Sequence, residues 1–207
     1  RAVGAIALGT SEVIPLEMVS AYAAYANKGV YSKPFAITKI EDRYGNTIRE
    51  YGAVQYEVLS EEIAFLMTNL MQTVMDRGTA GSARWKYKFT RPAAGKTGTT
   101  QGWSDAWFVG FTPQLATGVW FGVDDYQVSL GMGQDGSKAA LPTWARFMRD
   151  GHDILEMPRV NFQRPSGVIV FEICSVSKMG VRKACPVEKE VYKSGSEPGQ
   201  KCRIHRN

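Results

Sequence analysis

Histidine is almost absent from the 207-residue sequence, which has only His152 and His205. A Ser-His-Asp triad needs an imidazole held between a nucleophile and a carboxylate, so neither position supports one. The G-x-S-x-G turn that presents a nucleophilic serine is also missing; Gly102-Trp103-Ser104-Asp105-Ala106 comes nearest and lacks the final glycine. No apolar run approaches the ~18 residues of a membrane span, and the first residues do not have the order of a signal peptide. Cysteine is missing from the first 173 positions: all three, Cys174, Cys185 and Cys202, sit in the tail. There is no C-x-x-C pair, so no metal site is expected, although His205 follows Cys202 by three residues. An odd cysteine count in one stapled segment suits a single disulfide, for which Cys185 and Cys202 are the candidates. Neither an aromatic-basic ribonucleoprotein motif nor paired zinc-ligand spacings occur, so nucleic acid is not an expected partner.

What is present is the composition of an ordinary globular chain, 44% hydrophobic and 22% charged, long enough for one domain with a core and a small appendage. The net charge of +5 is not spread evenly. From Met157 onward there are ten Lys and Arg against four Asp and Glu, while residues 1–156 have fifteen against sixteen. Near residues 157–166 the composition shifts toward Pro, Gly, Ser and Lys, which places a boundary between a main unit, 1–157, and a basic, cysteine-containing extension, 158–207.

Local signals give most of the elements. Residues 10–29 read as a helix capped by Thr10 or Ser11, with Pro15 in its first turn and Leu16, Val19, Ala23 and Ala26 on its inner face. Residues 30–54 alternate as a hairpin about Tyr44-Gly45-Asn46. Ser60 caps a second helix carrying Ile63, Met67, Leu70 and Val74, which stops at Gly78. Residues 79–91 read as a loop with a short strand, and their cluster Arg84, Lys86, Lys88 and Arg91 is a solvated face. Two apolar runs, 106–111 and 115–123, flank a Thr112-Pro113-Gln114 turn and predict a buried hairpin. Asp124-Asp125 lacks calcium-loop spacing and reads as a turn. Pro142 opens a helix with Trp144, Ala145 and Met148 inward, and two short strands are expected around Val168-Ile169-Val170-Phe171 and Val191-Tyr192.

The candidate site precedes the buried hairpin, at Lys96-Thr97-Gly98-Thr99-Thr100. The free edge of such a strand can pair with an extended peptide, and Gly98 leaves room for another backbone. Lys96 supplies a fixed positive charge and the threonines supply short donors. Gly95-Lys96-Thr97 also ends a phosphate-binding pattern, but that pattern needs glycine at position 90, which is Thr.

Lys-Thr-Gly is one of the three motifs of penicillin-binding proteins and serine β-lactamases. The run Ala94-Gly95-Lys96-Thr97-Gly98-Thr99-Thr100 followed by Asp105-Ala106-Trp107-Phe108-Val109-Gly110-Phe111-Thr112-Pro113 resembles the third-motif region of class A penicillin-binding proteins, the bifunctional peptidoglycan synthases. Gly9-Thr10-Ser11-Glu12-Val13, Pro15-Leu16-Glu17-Met18, residues 21–29, Met75-Asp76-Arg77-Gly78-Thr79-Ala80 and Ala140-Leu141-Pro142-Thr143-Trp144 resemble the same family in the same order.

The resemblance implies a mixed α/β fold, an antiparallel sheet with covering helices, and a D,D-transpeptidase that cross-links peptidoglycan stem peptides through a serine acyl-enzyme without a cofactor. It implies that Lys96 moves a proton or holds substrate electrostatically, that Thr97, Gly98, Thr99 and Thr100 bind substrate with Thr97 and Thr99 facing its carboxylate, and that the Thr99 N–H forms half of an oxyanion hole. The family's other motifs are not here. No serine heads S-x-N, and the single S-x-x-K, at Ser175, follows Lys-Thr-Gly instead of preceding it. The expectation is therefore a chain that begins within a domain, is inactive alone, and is completed by an N-terminal chain or domain bearing the nucleophile. β-Lactams would inhibit the complete domain, which would lie at the periplasmic face of the bacterial inner membrane through an upstream anchor. Alternatives are a D,D-carboxypeptidase or β-lactamase of the same fold, or a non-catalytic peptide-binding fragment.

Overall fold

The computed structural model describes residues 4, 6, 9, 11–125 and 127–205. Its centre is a three-stranded antiparallel sheet in the order β5-β6-β7, made by β5 (Ala94–Thr99), β6 (Asp105–Phe111) and β7 (Ala116–Gly122). Before it come α1 (Pro15–Ala26), β1 (Val30–Ser32), β2 (Lys39–Glu41), β3 (Thr47–Glu50), β4 (Gln55–Glu57), α2 (Glu61–Asp76) and α3 (Ser82–Trp85). After it come α4 (Ala140–Ile154), β8 (Val168–Cys174) and β9 (Val187–Lys193). This is the mixed α/β, antiparallel arrangement expected from the sequence.

The pleat of β6 explains the layering. Successive side chains of a strand point to opposite faces. Phe108 packs edge-on against Trp144 of α4, ring centroids 4.9 Å apart, while Phe111 meets Tyr22 and Tyr25 of α1 at 6.4 Å. Helices α1 and α4 therefore cover opposite faces of the sheet. Gly110 lets α4 approach, since a Cβ there would lie 2.8 Å from the Trp144 ring. The indole N–H then donates to the carbonyls of Gly110 and Thr117. Helix α2 packs along β5, with Met75 in the core on the α4 side and Met71 in the cluster of Ala94 and Phe111.

The α2 cap is as expected: Ser60 accepts the Ile63 N–H. The turn about Tyr44-Gly45-Asn46 also forms, with Asp42 Oδ1 accepting the N–H groups of Tyr44 and Asn46. Its hairpin is β2 with β3, whereas β1 pairs separately with β4.

Several expectations are corrected. Helix α1 starts at Pro15 behind Ile14 with no side-chain cap, and the alternative cap Thr10 lies outside the described residues. Leu16 is exposed; Ser20 and Ala24 face inward, because an Ala-rich helix has no single strongly apolar stripe to fix its rotation. Residues 82–85 form α3 and not a strand. Helix α4 begins at Ala140, two residues before Pro142. Of the expected buried hairpin only β6 is deeply buried; Trp120 and Phe121 of β7 are exposed.

Candidate active-site strand

The first half of β5 is anchored and the second half is presented. Ala94 and Gly95 are buried, and a Cβ on Gly95 would lie 2.8 Å from both the Phe108 ring and the Val109 carbonyl oxygen. Lys96 and Thr99 are exposed, with Thr97 and Gly98 half-buried. β5 is an edge of its sheet: it pairs with β6 and with no other strand among the described residues.

Register then sorts the side chains. Cross-strand partners share a face. Lys96 and Gly98, paired with Val109 and Trp107, belong to one face, and Thr97 and Thr99, paired with Phe108 and Ala106, to the other. The cation and the two hydroxyls thus straddle the open edge, where an extended chain added to the sheet would run between them.

Each threonine is held by a different neighbour. Thr97 Oγ1 lies 2.9 Å from Thr79 Oγ1, in the segment just after α2. Thr99 Oγ1 accepts the Gly136 N–H at 3.1 Å, from the glycine-rich loop before α4. That loop is fastened at its other end, where Leu130 N–H donates to the Trp103 carbonyl and the Ser129 hydroxyl to that of Gly102. Lys96 Nζ donates to the Thr97 carbonyl at 2.9 Å and forms no ion pair among the described residues.

Thr100 takes part in the turn into β6: its hydroxyl accepts the Asp105 N–H at 2.8 Å and lies 2.8 Å from Ser104 Oγ. At Gly98 a Cβ would lie 3.1 Å from the Trp107 Cβ on β6, while the loop glycine Gly136 comes close enough that a Cβ on it would lie 2.7 Å from the Gly98 carbonyl oxygen. The basic cluster expected as a solvated face is one only in part: Lys86 and Lys88 are exposed, whereas Arg84 and Arg91 are half-buried. Arg84 pairs with Asp76 and donates to the carbonyls of Phe89 and Arg91, and Arg91 reaches the Pro158 carbonyl. Thr79 was missed as a site residue, although it belongs to the Asp76-Arg77-Gly78-Thr79-Ala80 run. Its link to Thr97 crosses eighteen residues and leaves no local signal.

His152 is a structural histidine. It is fully buried, with Nδ1 2.6 Å from the Met148 carbonyl oxygen and Nε2 2.9 Å from Thr112 Oγ1. A carbonyl can only accept, so Nδ1 carries the proton and the Thr112 hydroxyl donates to Nε2.

The expected Cys185–Cys202 disulfide is not formed; all three cysteines are free. Their sulfurs converge with the His205 ring, the four ligand atoms lying within 4.8 Å of one another. The His205 backbone N–H and the Ser177 hydroxyl hold the Cys202 thiol down at about 5. The spacing judged too loose for a metal is closed by tertiary structure.

An antiparallel sheet covered by α1 and α4, with Lys-Thr-Gly on its edge strand, has the fold of penicillin-binding-protein transpeptidase domains. The sequence matches the Penicillin binding protein transpeptidase domain over residues 1–149, and the chain belongs to that family. It is 38% identical over 198 residues to penicillin-binding protein 1A of Aquifex aeolicus, covering 95% of this chain and 26% of that protein. The chain spans about a quarter of the length of the curated relatives it matches. Among solved structures it is similar to penicillin-binding protein 1A from Haemophilus influenzae, with TM-score 0.89 and 26% identity over 98% of this chain and 35% of that one. It is also similar to PonA1 from Mycobacterium tuberculosis in complex with penicillin V, with TM-score 0.61 and 28% identity over 78% of this chain and 43% of that one.

Proposed function

We propose that this chain supplies the substrate-binding edge strand of a D,D-transpeptidase that cross-links peptidoglycan stem peptides. The observation that carries the proposal is the β5 edge, with Lys96 on one face and the hydroxyls of Thr97 and Thr99 on the other. An extended stem peptide pairs with that edge, and its terminal carboxylate, or the carboxylate of a β-lactam, is held by the two hydroxyls. Lys96 stabilises the anionic charge that develops during acyl transfer. The nucleophile is a serine of an S-x-x-K segment supplied by a complementing N-terminal chain or domain, because the only S-x-x-K here is in the tail. A nucleophile is indispensable to the covalent route, so the chain by itself neither transfers peptide nor is acylated. Its substrate places the assembled enzyme at the extracytoplasmic face of the bacterial inner membrane. No helix among the described residues is long and apolar enough to cross a membrane.

The test is intact-mass analysis after incubation with a penicillin, using the chain alone and the chain joined to its complementing segment. The joined protein gains the drug's mass on the S-x-x-K polypeptide. Lys96→Ala in that protein slows acylation by about 10²- to 10³-fold, the usual cost of removing an electrostatic stabiliser. Acylation of the 207-residue chain alone, or an unaltered rate in the Lys96→Ala protein, contradicts the proposal.

A further inference from the structure

The C-terminal unit has too little apolar core to explain its order. From residue 158 onward the buried hydrophobic residues are Val168, Ile173, Cys174 and Cys202, so half of them are cysteines. Units this small are commonly held by a disulfide or a metal. No disulfide is formed.

Backbone contacts alone bring the cysteines together. Cys174 ends β8, and its N–H and C=O close a tight turn with Met179 and Lys178. Cys185 is placed just before β9 by a turn in which its N–H donates to the Arg182 carbonyl. Cys202 lies on the last segment, bridged through Lys201 to Gly180, which is itself bridged to Ile173. His205 follows in the next turn. Its Nδ1 lies 3.4 Å from Cys174 Sγ and 3.3 Å from Cys202 Sγ.

We propose that Cys174, Cys185, Cys202 and His205 bind one zinc ion in a closed, structural site that ties the C-terminal segment to the β8–β9 hairpin. A tetrahedral zinc with bonds of ~2.3 Å to sulfur and ~2.0 Å to nitrogen sets ligand atoms about 3.5 to 3.8 Å apart. Ligand atoms within 4.8 Å of one another, with two S···N separations of 3.3 and 3.4 Å, need to move only slightly to meet that geometry. Three soft thiolates and an imidazole select zinc over the hard, oxygen-seeking cations. With four protein ligands no coordination position remains open, which makes the site structural.

The surroundings fit bound thiolates. The Arg182 backbone N–H donates to Cys185 Sγ at 3.2 Å and that of His205 to Cys202 Sγ at 3.4 Å. Arg182 Nε donates to the Cys202 carbonyl at 2.7 Å, setting a guanidinium beside a site whose three thiolates outweigh the ion by one charge. As three Zn–S bonds form, binding releases to solvent the protons that the thiols still carry. A disulfide is the poorer account, because joining any two of the sulfurs leaves the third thiol and the imidazole without a bonded partner.

The test uses the 207-residue chain purified with reductant in metal-free buffer. Elemental analysis finds one zinc per chain, and cobalt(II) in its place gives the intense visible bands of a tetrahedral thiolate site. Cys185→Ser loses the metal, whereas His205→Cys retains it and shifts the cobalt bands. If Cys185→Ser does not fold, the cobalt titration of the unaltered chain still decides. Background zinc with no tetrahedral cobalt spectrum overturns the proposal. So does a disulfide found in zinc-free chain quenched with alkylating reagent, or undiminished zinc after replacement of all three cysteines.

Discussion

Thr97 Oγ1 lies 2.9 Å from Thr79 Oγ1, so a hydroxyl on the edge strand is oriented by the segment that leaves α2. Thr79→Val keeps the bulk and removes the partner, freeing the Thr97 hydroxyl to rotate away from a ligand carboxylate. One neutral hydrogen bond is worth ~1 kcal/mol, about fivefold in rate. Acylation of the assembled domain by a fluorescent penicillin should slow by about that factor, with Thr79→Ser restoring the original rate. An unchanged rate in Thr79→Val would show that Thr79 has no positioning role.

The contrast between Thr97 and Thr79 shows what a sequence can reveal. The Ser60 cap, the Tyr44-Gly45-Asn46 turn and the apolar run of β6 are written in residues close along the chain, and each was legible. Lys96, Thr97 and Thr99 are singled out by a short motif, and the fold sets them at an open sheet edge. What was not legible depends on tertiary placement: the Thr79 contact, the rotation of α1, and the gathering of cysteines from three separate segments. The contacts of Thr100 with Ser104 and Asp105 were not legible for the same reason, since they are set by the fold of the turn.

Gly136 is a second point where the loop before α4 governs the strand. A Cβ there would lie 2.2 Å from the Trp107 carbonyl oxygen and 2.7 Å from that of Gly98, both backbone atoms that cannot step aside. Gly136→Ala should displace the loop and pull the Gly136 N–H from Thr99 Oγ1. The expected cost is ~1 to 3 kcal/mol, in the range of overpacked sites. Gly199, with nothing within 4 Å of its notional Cβ, is the control: Gly199→Ala should leave stability unaltered. Urea unfolding of the two variants measures the difference, and equal midpoints would contradict the close approach.

The Thr112 hydroxyl joins the turn between β6 and β7 to the end of α4. It donates to His152 Nε2 and accepts the N–H groups of Gln114 and Leu115 at 3.2 and 3.1 Å. Thr112→Val preserves the shape and leaves a buried imidazole nitrogen and two turn N–H groups without this partner. A buried unsatisfied polar group costs ~1 to 3 kcal/mol. Thr112→Ser keeps the hydroxyl and should cost less than half as much. Because the two side chains are in direct contact, Thr112→Val and His152→Phe should be non-additive, with a coupling of ~0.5 to 3 kcal/mol in a double-mutant cycle. Additive losses would mean that the hydroxyl serves the turn alone and that α4 is held without it, by Trp144 bonded to the carbonyls of Gly110 and Thr117.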